Sequence, residues 1–150
     1  MESFLLGKFL MYFPPLLFIG ELLVVVSNIL LQVDAYVMKV SIVGIFFITI
    51  GVVGMAVGMG AMYPKFKYEN ISEISSGTGG ILFIISSLIY VGLVLILGAR
   101  PMYVHFTQVF LGGADDLEVM SFYAMVILLS FYVAIEPMRR GIRSLKEIDL

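Results

Sequence analysis

Four long runs of apolar residues, separated by short polar connections, limit what this chain can fold into more than any other feature. A helix needs about 20 residues to cross the hydrocarbon core of a membrane. Backbone polar groups in lipid must pair within the protein, and the runs lack the period-2 alternation of a transmembrane barrel, so helices are expected. We predict an all-α membrane protein, a four-transmembrane-helix bundle in which residues 1–150 form a single transmembrane domain. The predicted spans are approximately residues 9–33, 40–62, 80–97 and 119–135.

The composition excludes a water-soluble domain of this size. Of the 150 residues, 61% are hydrophobic and 13% are charged, and the mean hydropathy is +1.07. A soluble domain is about half apolar and about a quarter charged, so lipid must solvate part of this surface. The chain has no Cys, which excludes disulfides and thiolate metal sites. We expect no catalytic residue, no metal, no cofactor and no nucleic-acid partner.

The basic residues predict how the bundle is oriented in the membrane. With both termini in the cytoplasm, only Lys39 and Arg100 lie outside, and this distribution fits the positive-inside rule. The expected location is the cell membrane, as a multi-pass protein of a prokaryotic plasma membrane. The basic residues then expected on the cytoplasmic side are Lys8, Lys65, Lys67, Arg139, Arg140, Arg143 and Lys146.

The first span contains residues that are unusual inside a membrane. Pro14 and Pro15 remove amide donors and kink or restart a helix, so one interpretation is a short interfacial helix that ends at Phe13. Glu21 would lie well inside the membrane, where a charge costs about 2.5–3.5 kcal/mol. With Asn28 it forms a candidate intramembrane polar site. Two interpretations stay open: a carboxylate on a substrate or proton path, or a protonated side chain bonded to a neighbouring helix.

Glycine is frequent in the second span. At about 100° per residue, Gly44, Gly51 and Gly58 nearly eclipse one another, and Gly54 lies close to them. A helix face without side chains lets another helix approach closely, so that dispersion stabilises the contact. We predict helix packing within one subunit at these four glycines. A glycine-lined permeation path is the alternative.

The connection between the second and third spans is the longest stretch dense in charge, Gly and Ser. Pro64 ends the second span, since proline disfavours helix in the residue before it. Asn70, followed three residues later by Glu73, is typical of a helix N-cap with a partial capping box. The sequence therefore predicts a short interfacial helix in the loop of residues 63–79.

Two segments beyond the third span also have helical character. The outer loop of residues 98–118 has an apolar first half, Tyr103–Leu111, which predicts a short re-entrant helix. The fourth span is predicted to end at Glu136-Pro137. The tail of residues 136–150 then places apolar and basic residues on different helix faces, as in a basic amphipathic helix on an anionic membrane surface or a partner protein.

The polar connection and the tail carry a pattern that resembles a known family. Gly58-x-Gly-Ala-x-Tyr-Pro-x-Phe is followed by Glu69-Asn70, Glu73-Ile74 and Ser76-Gly77-x-Gly-Gly80. This pattern resembles the signature of the ABC-2-type exporter permeases, which are membrane subunits of ATP-binding-cassette transporters. The segment Pro137-Met-Arg-Arg-Gly-Ile-Arg-Ser-Leu-Lys-Glu resembles the C-terminal end of that family. Its members are several times longer, so the chain resembles their C-terminal portion.

The resemblance implies the membrane-spanning permease part of an ABC-type exporter, which moves substrate using a separate cytoplasmic ATPase. The implied partners are that ATPase subunit, further permease helices or a second copy, and membrane lipid. The chain itself is expected not to be an enzyme. The alternative is a non-transporting assembly or scaffold subunit that packs through the glycine face of the second span. The candidate ATPase-coupling residues are Pro64, Phe66, Lys67, Tyr68, Glu69 and Asn70.

Overall fold

Four α-helices make up most of the structure, a computed structural model that describes residues 2–63, 77–111 and 116–148. Each helix contains a segment long and apolar enough to cross a membrane, and no strand occurs among these residues. The prediction of an all-α protein with four candidate spans is confirmed. In chain order the helices are α1 (Glu2–Leu30), α2 (Ala35–Met62), α3 (Thr78–Leu111) and α4 (Asp116–Ile148).

Proline does not end the helices where the sequence predicted. Pro14 and Pro15 lie inside α1, so the interpretation of a separate helix ending at Phe13 is wrong. Pro137 lies inside α4, so the fourth helix does not end there, and its last turns continue into the basic tail. Proline removes one backbone hydrogen bond, but its fixed φ suits a helix, and neighbouring helices in a membrane bundle compensate for the loss.

The predicted outer loop differs in the same way. α3 continues through Pro101 to Leu111, so residues 98–111 form the end of the third helix rather than a separate short helix. Pro101 is buried, which shows that this part of α3 packs within the bundle. The interfacial helix predicted between the second and third spans falls on residues 64–76, outside the described residues.

α2 lies at the centre of the bundle. It packs against each of the three other helices, most extensively against α4, whereas α1 and α4 touch only slightly. Small side chains on α2 make this close packing feasible. The buried residues of α2 are Thr49, Gly51, Val53, Gly54, Met55, Val57, Gly58 and Ala61.

Two clusters of buried side chains join the helices around α2. The first joins α1 to α2, with side chains of α4 also packed against it, and consists of Leu5, Val53, Val57 and Ala61. The second joins α2, α3 and α4 and consists of Met55, Tyr90, Val94 and Val126. Each side of α2 is therefore packed against a different set of neighbours.

The outward faces of the other helices are apolar. Leu30 is 79% exposed and Leu88 is 75% exposed, and many large apolar side chains beside them are also exposed. Soluble monomers rarely expose apolar patches larger than a few hundred Å². This surface is therefore suited to the acyl chains of a bilayer.

Contacts at the two ends of α2 establish how the helices run. The hydroxyl oxygens of Tyr36 and Tyr123 are 2.6 Å apart at one end, and Ser144 Oγ lies 3.4 Å from the Met62 carbonyl oxygen at the other. α2 and α4 are therefore parallel, as the second and fourth of four successive crossings must be. We call these two ends of the bundle the Tyr36 end and the Tyr63 end.

Candidate functional site

The predicted ATPase-coupling segment is described only at the two points between which it runs. A Cβ at Gly79 would lie 2.9 Å from Cβ of Tyr63, so the end of α2 and the start of α3 are in contact. The connecting segment therefore leaves and rejoins the bundle at one place, the Tyr63 end. The predicted coupling residues themselves lie outside the described residues: Pro64, Phe66, Lys67, Tyr68, Glu69 and Asn70.

The predicted polar pair of the first span lies on one face of α1. Glu21 and Asn28 are seven residues apart, which places them two turns and about 10 Å apart along the helix. Within the described part of the chain, Glu21 Oε2 and Asn28 Nδ2 are both buried without a hydrogen-bond partner. A buried polar group without a partner costs about 1–3 kcal/mol. This face is thus a costly one for the fold, and it remains a candidate site.

Glu21 is held close to the central helix by its neighbour in the sequence. A Cβ at Gly20 would lie 3.2 Å from Ile45 Cγ1 and 3.9 Å from Thr49 Oγ1, both on α2. The small residue therefore lets α1 approach α2 next to the carboxylate. Among the described residues, the buried Oε2 of Glu21 has no hydrogen-bond partner on α2 or on any other helix.

Three of the four predicted packing glycines lie directly against other helices of this chain. A Cβ at Gly51 would lie 2.5 Å from the Tyr90 hydroxyl oxygen of α3. At Gly54 it would lie 2.6 Å from Cα of Ala134 of α4, and at Gly58 it would lie 2.6 Å from the backbone nitrogen of Met138 of α4. A side chain at Gly54 or Gly58 would force α4 away from α2, and one at Gly51 would displace the Tyr90 ring.

Gly44, the fourth of these glycines, has a different environment. A Cβ at Gly44 would meet no atom within 4 Å. The residue lines a cavity of about 440 Å³ to which all four helices contribute, and Gly98 of α3, which is equally open, lines the same cavity. Ser41 and Tyr123 contribute the hydroxyl groups of a wall that is otherwise apolar. A cavity of this volume is within the range of ligand pockets, about 300–1,000 Å³.

A buried polar cluster that the sequence did not predict joins three helices near the middle of the bundle. Tyr90 of α3 is 2% exposed, and its hydroxyl oxygen lies 2.8 Å from Ser130 Oγ of α4 and 3.0 Å from the Phe47 carbonyl oxygen of α2. Ser130 is fully buried and donates to the Val126 carbonyl oxygen at 2.7 Å. A Tyr inside an apolar run signals such a cluster, because a buried phenol usually finds a hydrogen-bond partner.

The polar groups described above are hydroxyls, one amide and one carboxylate. Among the described residues, no group of three or more His, Cys, Asp or Glu side chains could hold a metal ion. The arrangement can therefore accept or donate hydrogen bonds around an apolar cavity. It can also hold one carboxylate close to the central helix.

Comparison with known proteins gives a match along the whole sequence. A family model described as "Putative ATP-binding cassette" matches residues 1–150. No curated protein and no solved structure matches the chain. The family's description names the ATP-binding cassette and not a permease. The match therefore supports a relation to ATP-binding-cassette systems without assigning the chain a role within them.

Proposed function

We propose that this chain, which belongs to the family described as "Putative ATP-binding cassette", is the membrane-spanning permease part of an exporter. The observation that carries this proposal is the occupation of nearly all the described residues by four membrane-length apolar helices. These described residues form membrane-length helices rather than a nucleotide-binding domain. In this proposal, ATP is hydrolysed by a separate cytoplasmic ATPase.

The Tyr63 end of the bundle faces the cytoplasm in this proposal. Most of the basic residues lie at that end or in the segment that leaves it, in agreement with the positive-inside rule. The segment of residues 64–76 would meet the ATPase there. Because Tyr63 and Gly79 are in contact, a displacement of the segment would act on α2 and α3 together.

The packing of α2 gives this displacement a route through the bundle. α2 contacts α1, α3 and α4, and at Gly54 and Gly58 its backbone lies directly against the backbone of α4. A movement at the Tyr63 end would therefore reach the cavity at Gly44 and the face of α1 that carries Glu21. The apolar lining of that cavity favours a substrate with an apolar portion.

The alternative function, a scaffold subunit that packs through the glycine face of the second span, has less support. Gly51, Gly54 and Gly58 are already covered by α3 and α4 of the same chain. A partner helix could use this face only by displacing one of them. The buried contacts of this face therefore count against the scaffold function.

Replacement of two residues of the coupling segment tests the proposal. We expect the double variant Phe66→Ala, Glu69→Ala to recover much less ATP-binding-cassette ATPase than the unmodified chain when the tagged protein is purified from its native membrane. Leu31→Ala, an exposed change in the connection at the opposite end of the bundle, is the control and should leave recovery unchanged. Equal recovery with all three proteins, at equal expression, would contradict the proposal.

A further inference from the structure

A basic cleft lies between α2 and α4 at the Tyr63 end. It has a volume of about 310 Å³ and is lined by Met62 and Tyr63 from the end of α2 and by Arg140, Arg143 and Ser144 from α4. Ser144 Oγ lies 3.4 Å from the Met62 carbonyl oxygen, so the two walls meet at the base of the cleft. The cleft is therefore a concave surface built from two helices.

The two arginines give the cleft a positive charge. Nε and Nη2 of Arg140 both lie 2.9 Å from Glu136 Oε1, which balances one positive charge and orients the guanidinium. A guanidinium has five N–H donors, so Arg140 keeps donors for another anion. Arg143 is exposed, and among the side chains whose placement the structure describes, those of residues 145–148 not included, none forms an ion pair with it. Among the residues that line the cleft, Arg143 therefore adds a positive charge to the Arg140–Glu136 ion pair.

The cleft lies at the level of the membrane where lipid headgroups are found. The apolar spans of its two helices are Ala35–Met62 and Met120–Ser144, so both end at residues that line the cleft. The shallow cleft combines apolar surface from Met62 and Tyr63 with the polar groups of Arg140, Arg143 and Ser144. Its arginines are therefore placed at the boundary between hydrocarbon and water, where phosphate groups of phospholipids lie.

We propose that this cleft binds the phosphate group of an anionic phospholipid. The planar guanidinium donates two parallel hydrogen bonds to a phosphate, which suits Arg143 for the main contact and Arg140, oriented by Glu136, for a second. The Tyr63 side chain, 45% exposed, forms the opposite wall. The acyl chains of such a lipid would lie along the exposed apolar faces of the bundle. This inference is independent of substrate transport.

Titration of the whole chain with lipid, followed by native mass spectrometry from a neutral detergent, tests the proposal. We expect phosphatidylglycerol to bind more tightly than phosphatidylcholine, and Arg143→Gln to weaken phosphatidylglycerol binding about tenfold or more, as for a lost charge-assisted hydrogen bond. Arg139→Gln is the matched control, because Arg139 is exposed on the same helix but does not line the cleft. It should weaken binding about fivefold at most, as a surface charge does.

Several results would overturn the proposal. Equal losses in the Arg139 and Arg143 variants would mean that only the general surface charge attracts the lipid. Displacement of phosphatidylglycerol by low millimolar inorganic phosphate would mean that the cleft is a site for a free anion. If Arg143→Gln loses its helical circular dichroism, Arg143→Lys replaces it. This variant keeps the charge without the planar fork, so binding as tight as that of the unmodified chain would also contradict the proposal.

Discussion

The hydroxyl of Tyr90 has one proton and two oxygen atoms within 3.0 Å, Ser130 Oγ on α4 and the Phe47 carbonyl oxygen on α2. It can donate to one of them at a time, and either choice connects α3 to another helix. Hydrogen bonds between helices in membranes contribute about 0.6 kcal/mol on average. The cluster therefore contributes less to total stability than to the choice of one rotation of α3 about its axis.

Glycines on one helix of this chain are predicted to respond differently to the same substitution. Gly54→Ala places a Cβ 2.6 Å from Cα of Ala134, a backbone atom that cannot turn away, so it should destabilise the protein by about 1–3 kcal/mol. Gly44→Ala meets no atom within 4 Å and should stabilise α2 by roughly 0.5–1 kcal/mol, because alanine is the better helix former. Thermal unfolding in detergent, followed by circular dichroism, measures both.

The comparison of the two glycine variants also contains its own control. Both changes add one methyl group to the same helix, so a difference between them reports the neighbouring helix and not helix propensity. A similar unfolding temperature for the two variants would mean that α4 does not approach α2 at Gly54.

At the scale of helices, the sequence predicted the four candidate spans and the end of α2 at Met62, but not the ends of α3 and α4. The length of an apolar run determines whether a segment can cross a membrane, and this length can be read from adjacent residues of the sequence. Whether α4 continues through Pro137 depends instead on contacts with a distant part of the chain. Its missing hydrogen bond is tolerated where α4 packs on Gly58, a contact between residues far apart in the sequence.

The candidate site was also predicted only in part. Glu21 and Asn28 were identified because polar side chains are rare in an apolar run, and the structure leaves an atom of each buried and unpartnered among the described residues. Tyr90 and Ser130 were missed, since their pairing depends on how α3 and α4 rotate against each other. Glycine spacing indicated a close-packed face, but the open position of Gly44 depends on where α3 and α4 diverge.

The parallel arrangement of α2 and α4 predicts which cysteine pairs can be cross-linked. The chain has no Cys, so pairs can be introduced without a background. Met62→Cys with Ser144→Cys should form a disulfide on mild oxidation, because these residues meet at the Tyr63 end. Tyr36→Cys with Ser144→Cys, which join opposite ends of the bundle, should form none. Migration on a denaturing gel after cleavage between the helices reads out both pairs, and cross-linking of only the second pair would show antiparallel helices.

The orientation of the whole bundle can be tested with the same Cys-free background. We predict that Lys67→Cys in intact cells does not react with a maleimide that cannot cross the membrane, and that it reacts once the cells are permeabilised. Lys39→Cys, on the predicted outer side, should react in intact cells. Labelling of position 67 from outside would reverse the orientation and would remove the basis for contact with a cytoplasmic ATPase.

The central position of α2 has a consequence for biosynthesis. Ala134, which covers Gly54, is made long after it; at about 5–20 residues per second, the ribosome needs roughly 4–16 seconds to add the residues between them. During that interval the glycine face of α2 is not yet packed against α4, so lipid or the insertion machinery must shield it. A nascent chain that is released before α4 is made would leave the glycine face of α2 exposed. Such a chain would be a ready target for proteolytic quality control in the membrane.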